Sequence, residues 1–278
     1  MIITKCDDSA ELSSFLRLDY TNNLYFFTYL NEIFHNSSVE VLIAKYKSKI
    51  VLALLLTPIH CCISSSDINY VNAIADQLPI IHSVHVVGRK DLVEHLLRIS
   101  KGPERDKHIY SFCEYTPAIV SNNPATVSQK AAESNLKDLI KFYSNNDMLI
   151  DAASRLPAIL SWGKAYFIYK DHEIVSCALT TTQTNDAAMI GSVYTIPGYR
   201  NHGYAKDCVS NLCRDLTSNH IKPYLFYKSD DDFLAEFYKS LGFRETNTWI
   251  LATSNRSFCS RRKRTYRPSD PCRNYESC

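Results

Sequence analysis

No stretch of this chain is apolar enough to cross a bilayer as a helix. Its longest apolar run is Ile50–Leu56, far short of the roughly 20 residues a spanning helix needs. The opening MIITKCDDSAELSSF has no apolar signal core and is acidic early, which argues against a secretory or mitochondrial leader. The 10 cysteines include no C-x-x-C pair and no Cys/His cluster at zinc spacing. That excludes the usual structural metal sites and fits a reducing compartment, so a cytoplasmic location and no metal are expected. Net charge is only +2, which points to no particular partner. The body has no interleaved basic and aromatic residues, so nucleic acid is not an expected partner except through the C-terminus.

What is present is an ordinary globular composition, 45% hydrophobic and 22% charged over 278 residues, with room for one large or two small domains. Charge is unevenly placed. From Ser254 to Cys278, seven Lys/Arg face two acids, so this tail is +5 and the body −3. The tail is poor in aliphatics and reads as disordered. Its Arg261-Arg262-Lys263-Arg264 run is either a solvated face or a nuclear-import or nucleic-acid contact.

The first half repeats in the second. At a constant offset of 124, Leu12, Phe15 and Leu16 fall on Leu136, Leu139 and Ile140, Asn22 on Asn146, Ile50-Val51 on Ile174-Val175, and Thr57 on Thr181. Each half then reads as two short helices, a strand, a polar turn (Tyr46–Lys49 and Lys170–Glu173) and a strand. No glycine precedes Gly88, and residues 63–71, ISSSDINYV, do not read as a buried strand. The first copy is therefore expected to be shortened and degenerate, with a strand at Ile80–Val87, a helix at Asp91–Arg98 and a strand at Ile109–Tyr115. A linker falls at Ser121–Ala125. The second copy reads as a strand at Thr126–Gln129, helices at Asn135–Tyr143 and Leu149–Leu160, and a hairpin of Ala165–Tyr169 with Ile174–Thr182. The Ala187–Thr195 strand follows, then a helix to Leu216, a strand at Pro223–Tyr227, a helix capped by Asp230–Asp232 and closed by Gly242, and a strand at Thr246–Ala252.

The most informative stretch is Gly191–Leu216. Ser192–Ile196 is β-branched and aromatic, and suits a buried strand. Pro197-Gly198 ends it. Ala205, Cys208, Val209, Leu212, Cys213 and Leu216 then mark one helical face. Between them lies Arg200-Asn201-His202-Gly203-Tyr204-Ala205, R-x-x-G-x-A. Gly203 allows a tight turn and close approach of a ligand. The unpaired N–H groups and positive dipole end of the following helix suit a phosphate or pyrophosphate.

The form V-Y-T-x-P-x-Y-R-x-x-G-Y-A over Val193–Ala205 resembles the coenzyme A pyrophosphate motif of the GCN5-related N-acetyltransferases (GNAT). Phe237–Phe243 resembles that family's Y-x-x-L-G-F helix end. The variant is most similar to the FR47-like branch. The resemblance implies an α/β (α+β) GNAT acyl-CoA N-acyltransferase fold, a mixed central sheet flanked by helices. It would comprise a degenerate GNAT-like domain over residues 1–120, a GNAT domain over 125–253 and the basic tail over 254–278. It implies acetyl-CoA as co-substrate and direct transfer of an acetyl group to an amine. The acceptor would be a small-molecule amine or amino acid, or less directly a protein amine. The pantetheine arm would lie along the main chain of Val193, Tyr194 and Thr195. The pyrophosphate would rest on the amides of Asn201, His202, Gly203, Tyr204, Ala205 and Lys206, with Arg200 helping by charge or by pinning the loop. Tyr238 would protonate the leaving thiolate; otherwise it is a core tyrosine. Where the family often has Asn, seven residues earlier, this chain has Asp231, which puts that contact in doubt. Glu173, Glu133 and Asp186 are candidate general bases by location only, and His172 and His202 read as loop histidines. No Ser-His-Asp or Cys-His arrangement is readable, so no covalent acyl-enzyme is implied. The alternative function is a binding or regulatory module that holds acyl-CoA without turnover.

Overall fold

The computed structural model describes residues 1–29, 38–116, 127–146, 148–149 and 151–254. The expected linker at Ser121–Ala125 and the tail beyond Ser254 lie outside them. Contacts divide the chain into two compact units. One is Met1–Tyr110 with the strand residues from Asn247; the other is Ser111–Thr246.

The first unit contains β1 (Ile3–Lys5), α1 (Ser9–Arg17), α2 (Leu24–Tyr29), β2 (Glu40–Tyr46), β3 (Lys49–Leu56), β4 (His60–Ser65), α3 (Ile68–Asn72), β5 (His85–Arg89) and α4 (Lys90–Ile99). It also holds the start of β6 (Arg105–Tyr115). Its strands lie in the order β1-β2-β3-β4-β5, followed by the end of the last strand of the chain, which pairs antiparallel with β5 from Trp249↔Arg89 to Thr253↔His85. The core of this unit gathers Leu52, Leu54, Ile63, Val71, Val86, Leu92, Val93 and Leu96. Residues 63–71 were expected to hold no buried strand, and that expectation is corrected. β4 ends at Ser65 and is buried from Cys61 onward, because β3 and β5 flank it. Ser65 is tolerated there because main-chain carbonyls satisfy it: its Oγ lies 3.1 Å from Val51 O and 2.8 Å from Asp67 O. The expected strand at Ile80–Val87 begins later, at His85.

The second unit contains β7 (Gln129–Lys130), α5 (Leu136–Ser144), α6 (Ala152–Trp162), β8 (Ala165–Lys170), β9 (Glu173–Gln183), β10 (Ala187–Thr195), α7 (Tyr204–Ser218), β11 (Lys222–Lys228), α8 (Asp232–Ser240) and the start of β12 (Phe243–Ser254). The sheet order in this unit is β12-β6-β11-β10-β9-β8-β7. Ser111–Tyr115 of β6 thus completes a sheet whose other strands come later in the chain. Thr116 N donates to Gly242 O at 2.9 Å, and Thr246 Oγ1 to Phe112 O at 3.3 Å. The α/β architecture, a mixed sheet flanked by helices, is the expected one. α7 and α8 cover one hydrophobic cluster with Cys208, Val209, Leu212, Cys213, Leu216, Leu234 and Tyr238. α5 and α6 contribute to another with Leu139, Phe142, Tyr143, Leu156 and Ile159.

Both halves turn their first hairpin in the same way. Lys47 and Ser48 have φ of 49° and 64°, and Asp171 and His172 have 47° and 66°. Two successive left-handed residues form the tight turn whose twist matches a β-hairpin. The offset between the halves is 124 from Lys49 to Glu173, the starts of β3 and β9. It grows to 137 from His85 to Lys222, the starts of β5 and β11. The difference is spent on a longer β10 and a longer following helix.

α7 is tied to the sheet by Asp215. Its carboxylate accepts from Lys164 Nζ at 2.6 Å, Lys130 Nζ at 2.8 Å and Tyr166 Oη at 3.0 Å. Burial alone would raise its pKa, but these three donors hold it below the ordinary carboxylate value. A carboxylate with a lowered native pKa stabilises the fold fully above its unfolded value near 4, and the contribution fades as pH falls below that. Asp215→Asn is expected to cost about 2 kcal/mol in urea unfolding at neutral pH. The gap to wild type should narrow as the titration is repeated at progressively lower pH.

Candidate functional site

The site is built where two parallel strands stop pairing. β10 and β11 pair only over Ala187↔Lys222, Ala188↔Pro223 and Met189↔Tyr224. The register between the two strands does not extend to Ile190–Thr195. On its other edge β10 keeps its partner β9, but the register slips between Met189 and Ile190 and again between Gly191 and Tyr194. Gly191 pairs with Leu179 and Tyr194 with Cys177, so Ser192 and Val193 together face Ala178. This is a β-bulge, and it bends the strand. Ser192 sits in the left-handed region at φ 50°, a conformation that costs a non-glycine residue on the order of 1 kcal/mol. Gly191 is required beside it, because an added Cβ would lie 2.7 Å from Thr181 Cγ2. The sequence reading of this stretch as a plain strand missed the bulge. The signal was present as a glycine inside a strand pattern.

Past the bulge, Ile196 N donates to Val175 O at 2.9 Å and the chain turns through Pro197–Tyr199. Arg200 Nε donates to Thr195 O at 3.1 Å, and its guanidinium carbon lies 5.8 Å from the Tyr194 ring centroid. Arg200 therefore pins the loop to the end of the strand. Tyr199 Oη donates to Asp171 Oδ2 at 2.7 Å and ties the same loop to the β8–β9 turn. His202 Nδ1 lies 2.7 Å from Arg200 O, and its ring stacks on Tyr204 at 5.5 Å. Asn201 and Gly203 have φ of 65° and 76°. Gly203 is the N-cap of α7, no side chain caps that end, and no atom lies within 4 Å of where its Cβ would be. In contrast, α1, α3 and α8 are capped by the carboxylates of Asp8, Asp67 and Asp231. Asp207, in the first turn of α7, is turned to Val127 N and Ser128 N at 2.8 and 2.7 Å. The N-terminus of this 15-residue helix thus has no side-chain cap.

Tyr238 is buried, at 6% exposure. It stacks on Tyr227 of β11 at 5.7 Å and meets Phe237 and Phe243 edge-on at 5.0 and 5.9 Å. The Tyr227 phenol is pushed up by burial and by its hydrogen bond to Glu245. Asp231 caps α8: its Oδ1 accepts from Leu234 N at 2.9 Å.

A cavity of 210 Å³ lies on the α5 face of β10. Phe142, Ile174, Tyr194 and Ile196 line it, with Lys141, His172 and Glu173 beside them. It brings together three residues singled out from sequence, His172, Glu173 and Tyr194. It does not include Glu133 or Asp186, which are exposed elsewhere. Among the described residues no cluster of metal-ligating side chains occurs.

Residues 135–243 match the model of the acetyltransferase (GNAT) family. The fold is that of GNAT structures. An acetyltransferase of the GNAT family from Colwellia psychrerythraea superposes with a TM-score of 0.64 at 9% identity, covering 92% of this chain and 100% of that one. A Drosophila protein gives 0.66 at 11% identity, covering 92% and 99%. A tandem GNAT protein from the clavulanic acid biosynthesis pathway gives 0.52 at 10%, covering 91% and 98%. No curated protein matches the sequence significantly. The matched segment lies within the second unit, and these neighbours share the fold. The match runs from the start of α5 through the first residue of β12, so it contains the bulge, the uncapped helix end and Tyr238.

The tightness at Gly191 gives a direct test of the bulge. Gly191→Ala is expected to destabilise the protein by about 2 kcal/mol through overpacking against Thr181. Adding Thr181→Ser, which removes the crowding methyl, should recover most of that loss in denaturant unfolding.

Proposed function

We propose that this chain is an N-acetyltransferase that binds acetyl-CoA in the opening between β10 and β11 and transfers the acetyl group to an amine in a ternary complex. The observation that carries this reading is the coincidence of the three-pair register between β10 and β11 with an uncapped α7 N-terminus at the end of β10. A strand edge that has lost its neighbour can hydrogen-bond a ligand's amides. The pantetheine arm is proposed to lie along Val193, Tyr194 and Thr195. The amides from Asn201 through Gly203 to Lys206, with Tyr204 and Ala205 between, suit the pyrophosphate. Arg200 contributes by holding the loop. The residues fit such a group: a Cβ-free, unobstructed N-cap permits close approach to the main chain.

The chemistry needs a deprotonated amine, a polarised thioester carbonyl and a proton for the departing thiolate. Tyr238, on α8 beside β11, is proposed to supply that proton. The acceptor is proposed to be a small-molecule amine or amino acid, with a protein amine the second choice and the cytoplasm the place of action. The FR47-like motif form stays with this reading. One observation favours a module that binds acyl-CoA without turnover: the Tyr238 ring packs among Tyr227, Phe237 and Phe243 as a core residue would. No helix among the described residues is long and apolar enough to cross a membrane.

In the first unit the equivalent place is less suited to an anion. Asp67 accepts from Asn69 N at 2.8 Å, so a carboxylate of the chain itself caps the short helix α3. One cofactor site, in the second unit, is the proposal.

Calorimetric titration of acetyl-CoA into wild type, Gly203→Ala and Gly203→Glu tests the seat. Both variants strain the φ of 76° equally, while only glutamate brings a negative charge. Binding lost in Gly203→Glu and weakened less in Gly203→Ala is expected; a folded wild type that does not bind overturns the proposal. If Tyr238 donates the proton, Tyr238→Phe should lower kcat by about 100-fold with little change in acetyl-CoA affinity. An unchanged kcat would make Tyr238 a core residue.

A further inference from the structure

We propose that Tyr143 and Ser192 form a clamp that positions the cofactor-binding stretch Val193–Thr195, acting on the reaction through the strand and not by contact with substrate. The inference rests on the acetyl-CoA reading above. Tyr143 stands on α5, the helix behind the sheet, and its hydroxyl donates to the Ser192 carbonyl at 2.7 Å. Ser192 Oγ in turn donates to the Met148 carbonyl, just beyond α5, at 2.8 Å. Both bonds converge on the one residue of β10 that is left-handed. They come from a single element and the loop after it, so they tie the bulge to α5 and that loop. Ser192 faces no ladder partner of its own in β9, since the register jumps from Gly191 to Tyr194; the side chains replace the pairing that the bulge gives up.

The clamp is built into the core. Tyr143 is 1% exposed, and its ring meets Phe142 edge-on at 4.9 Å. Phe142 in turn lies 5.8 Å from the ring of Tyr194, the next-but-one residue after Ser192. Burial holds the Tyr143 phenol well above its ordinary value, and the neighbouring Cys177 acts in the same direction, so the hydroxyl remains a donor through any working pH. A further link fixes the far end of the stretch: Ser176 Oγ and Thr195 Oγ1 lie 2.8 Å apart, and Arg200 Nε holds Thr195 O. Val193–Thr195 is thus held at Ser192 on one side and at Thr195 on the other. Loosening the first hold moves the main chain that the pantetheine arm would read, while the pyrophosphate seat keeps its own anchors.

The test uses full-length wild type, Ser192→Gly and Tyr143→Phe, each titrated with acetyl-CoA and, in parallel, with ADP, which has a pyrophosphate but no pantetheine arm. Each protein is also melted. Glycine adopts a φ of 50° freely and keeps the carbonyl that Tyr143 holds, so Ser192→Gly removes one bond of the clamp without strain. Both variants are expected to bind acetyl-CoA about tenfold more weakly, as small misplacements of a positioned ligand do. ADP affinity should be unchanged, and Ser192→Gly should melt with wild type. Equal losses for acetyl-CoA and ADP, or wild-type acetyl-CoA affinity in folded Ser192→Gly, would overturn the clamp. Should Tyr143→Phe fail to fold, Ser192→Gly alone decides. A wild type that binds no acetyl-CoA defeats the cofactor reading itself, before the variants are compared.

Discussion

The second unit depends on two parallel strands that stay paired for three residues and then part. On its other edge, toward β9, β10 carries a bulge at Gly191–Ser192–Val193 that breaks the register and bends the strand. Gly191 is accommodated against Thr181 only because it has no side chain, Ser192 takes up the left-handed turn, and the hydroxyls of Tyr143 and Ser192 hold the bend from behind. β10 and β11 keep the three register pairs Ala187↔Lys222, Ala188↔Pro223 and Met189↔Tyr224, and the α7 N-terminus beyond β10 has no side-chain cap.

Electrostatics divides the helix termini into two kinds. Asp8, Asp67 and Asp231 satisfy the first-turn donors of α1, α3 and α8 from within the chain. α7 has glycine at its N-cap and no such partner. A helix N-terminus carries roughly half a positive charge, and its donors are left for solvent or for an external anion. The same comparison separates the two copies. The short α3 follows an aspartate that occupies its own N-terminus, and the long α7 follows a glycine that leaves its N-terminus open. The two halves share an element order and a hairpin geometry and differ at this helix end.

Packing against the sheet holds these termini in place. The face Cys208, Val209, Leu212, Cys213 and Leu216 is completely buried, and Asp215, opposite in character, joins the same helix to Lys130, Lys164 and Tyr166. α7 is fixed along its length, so its N-terminus has little freedom relative to the end of β10. The buried cysteines belong to this packing. Burial pushes the Cys213 thiol well above its ordinary value and Cys177 up to about 12, which leaves them inert small hydrophobes.

Much of the fold was legible in the residue pattern. The apolar stripe of α7, the β-branched run of β10, the Asp cap and Gly242 closure of α8, and the polar turns of both hairpins are local signals, set by periodicity and by backbone preferences that act within a few residues. The loop Arg200–Ala205 with its left-handed glycine belongs to the same class. Other features depend on partners far away in the chain. Residues 63–71 did not read as a buried strand; their start, Ile63–Ser65, is the end of one because β3 and β5 enclose it and main-chain carbonyls satisfy Ser65. The later half of β6 joins the sheet of the second unit, which no local pattern in Ser111–Tyr115 specifies. The bulge needed Thr181 on one side and Tyr143 and Met148 on the other, at separations of 10, 49 and 44 residues from Gly191 or Ser192. Periodicity thus determined which segments are helices and strands and where a helix begins with open donors. Only the tertiary structure decided where a strand must bend and which buried hydroxyl holds it, because those outcomes are fixed by contacts that residue order does not contain.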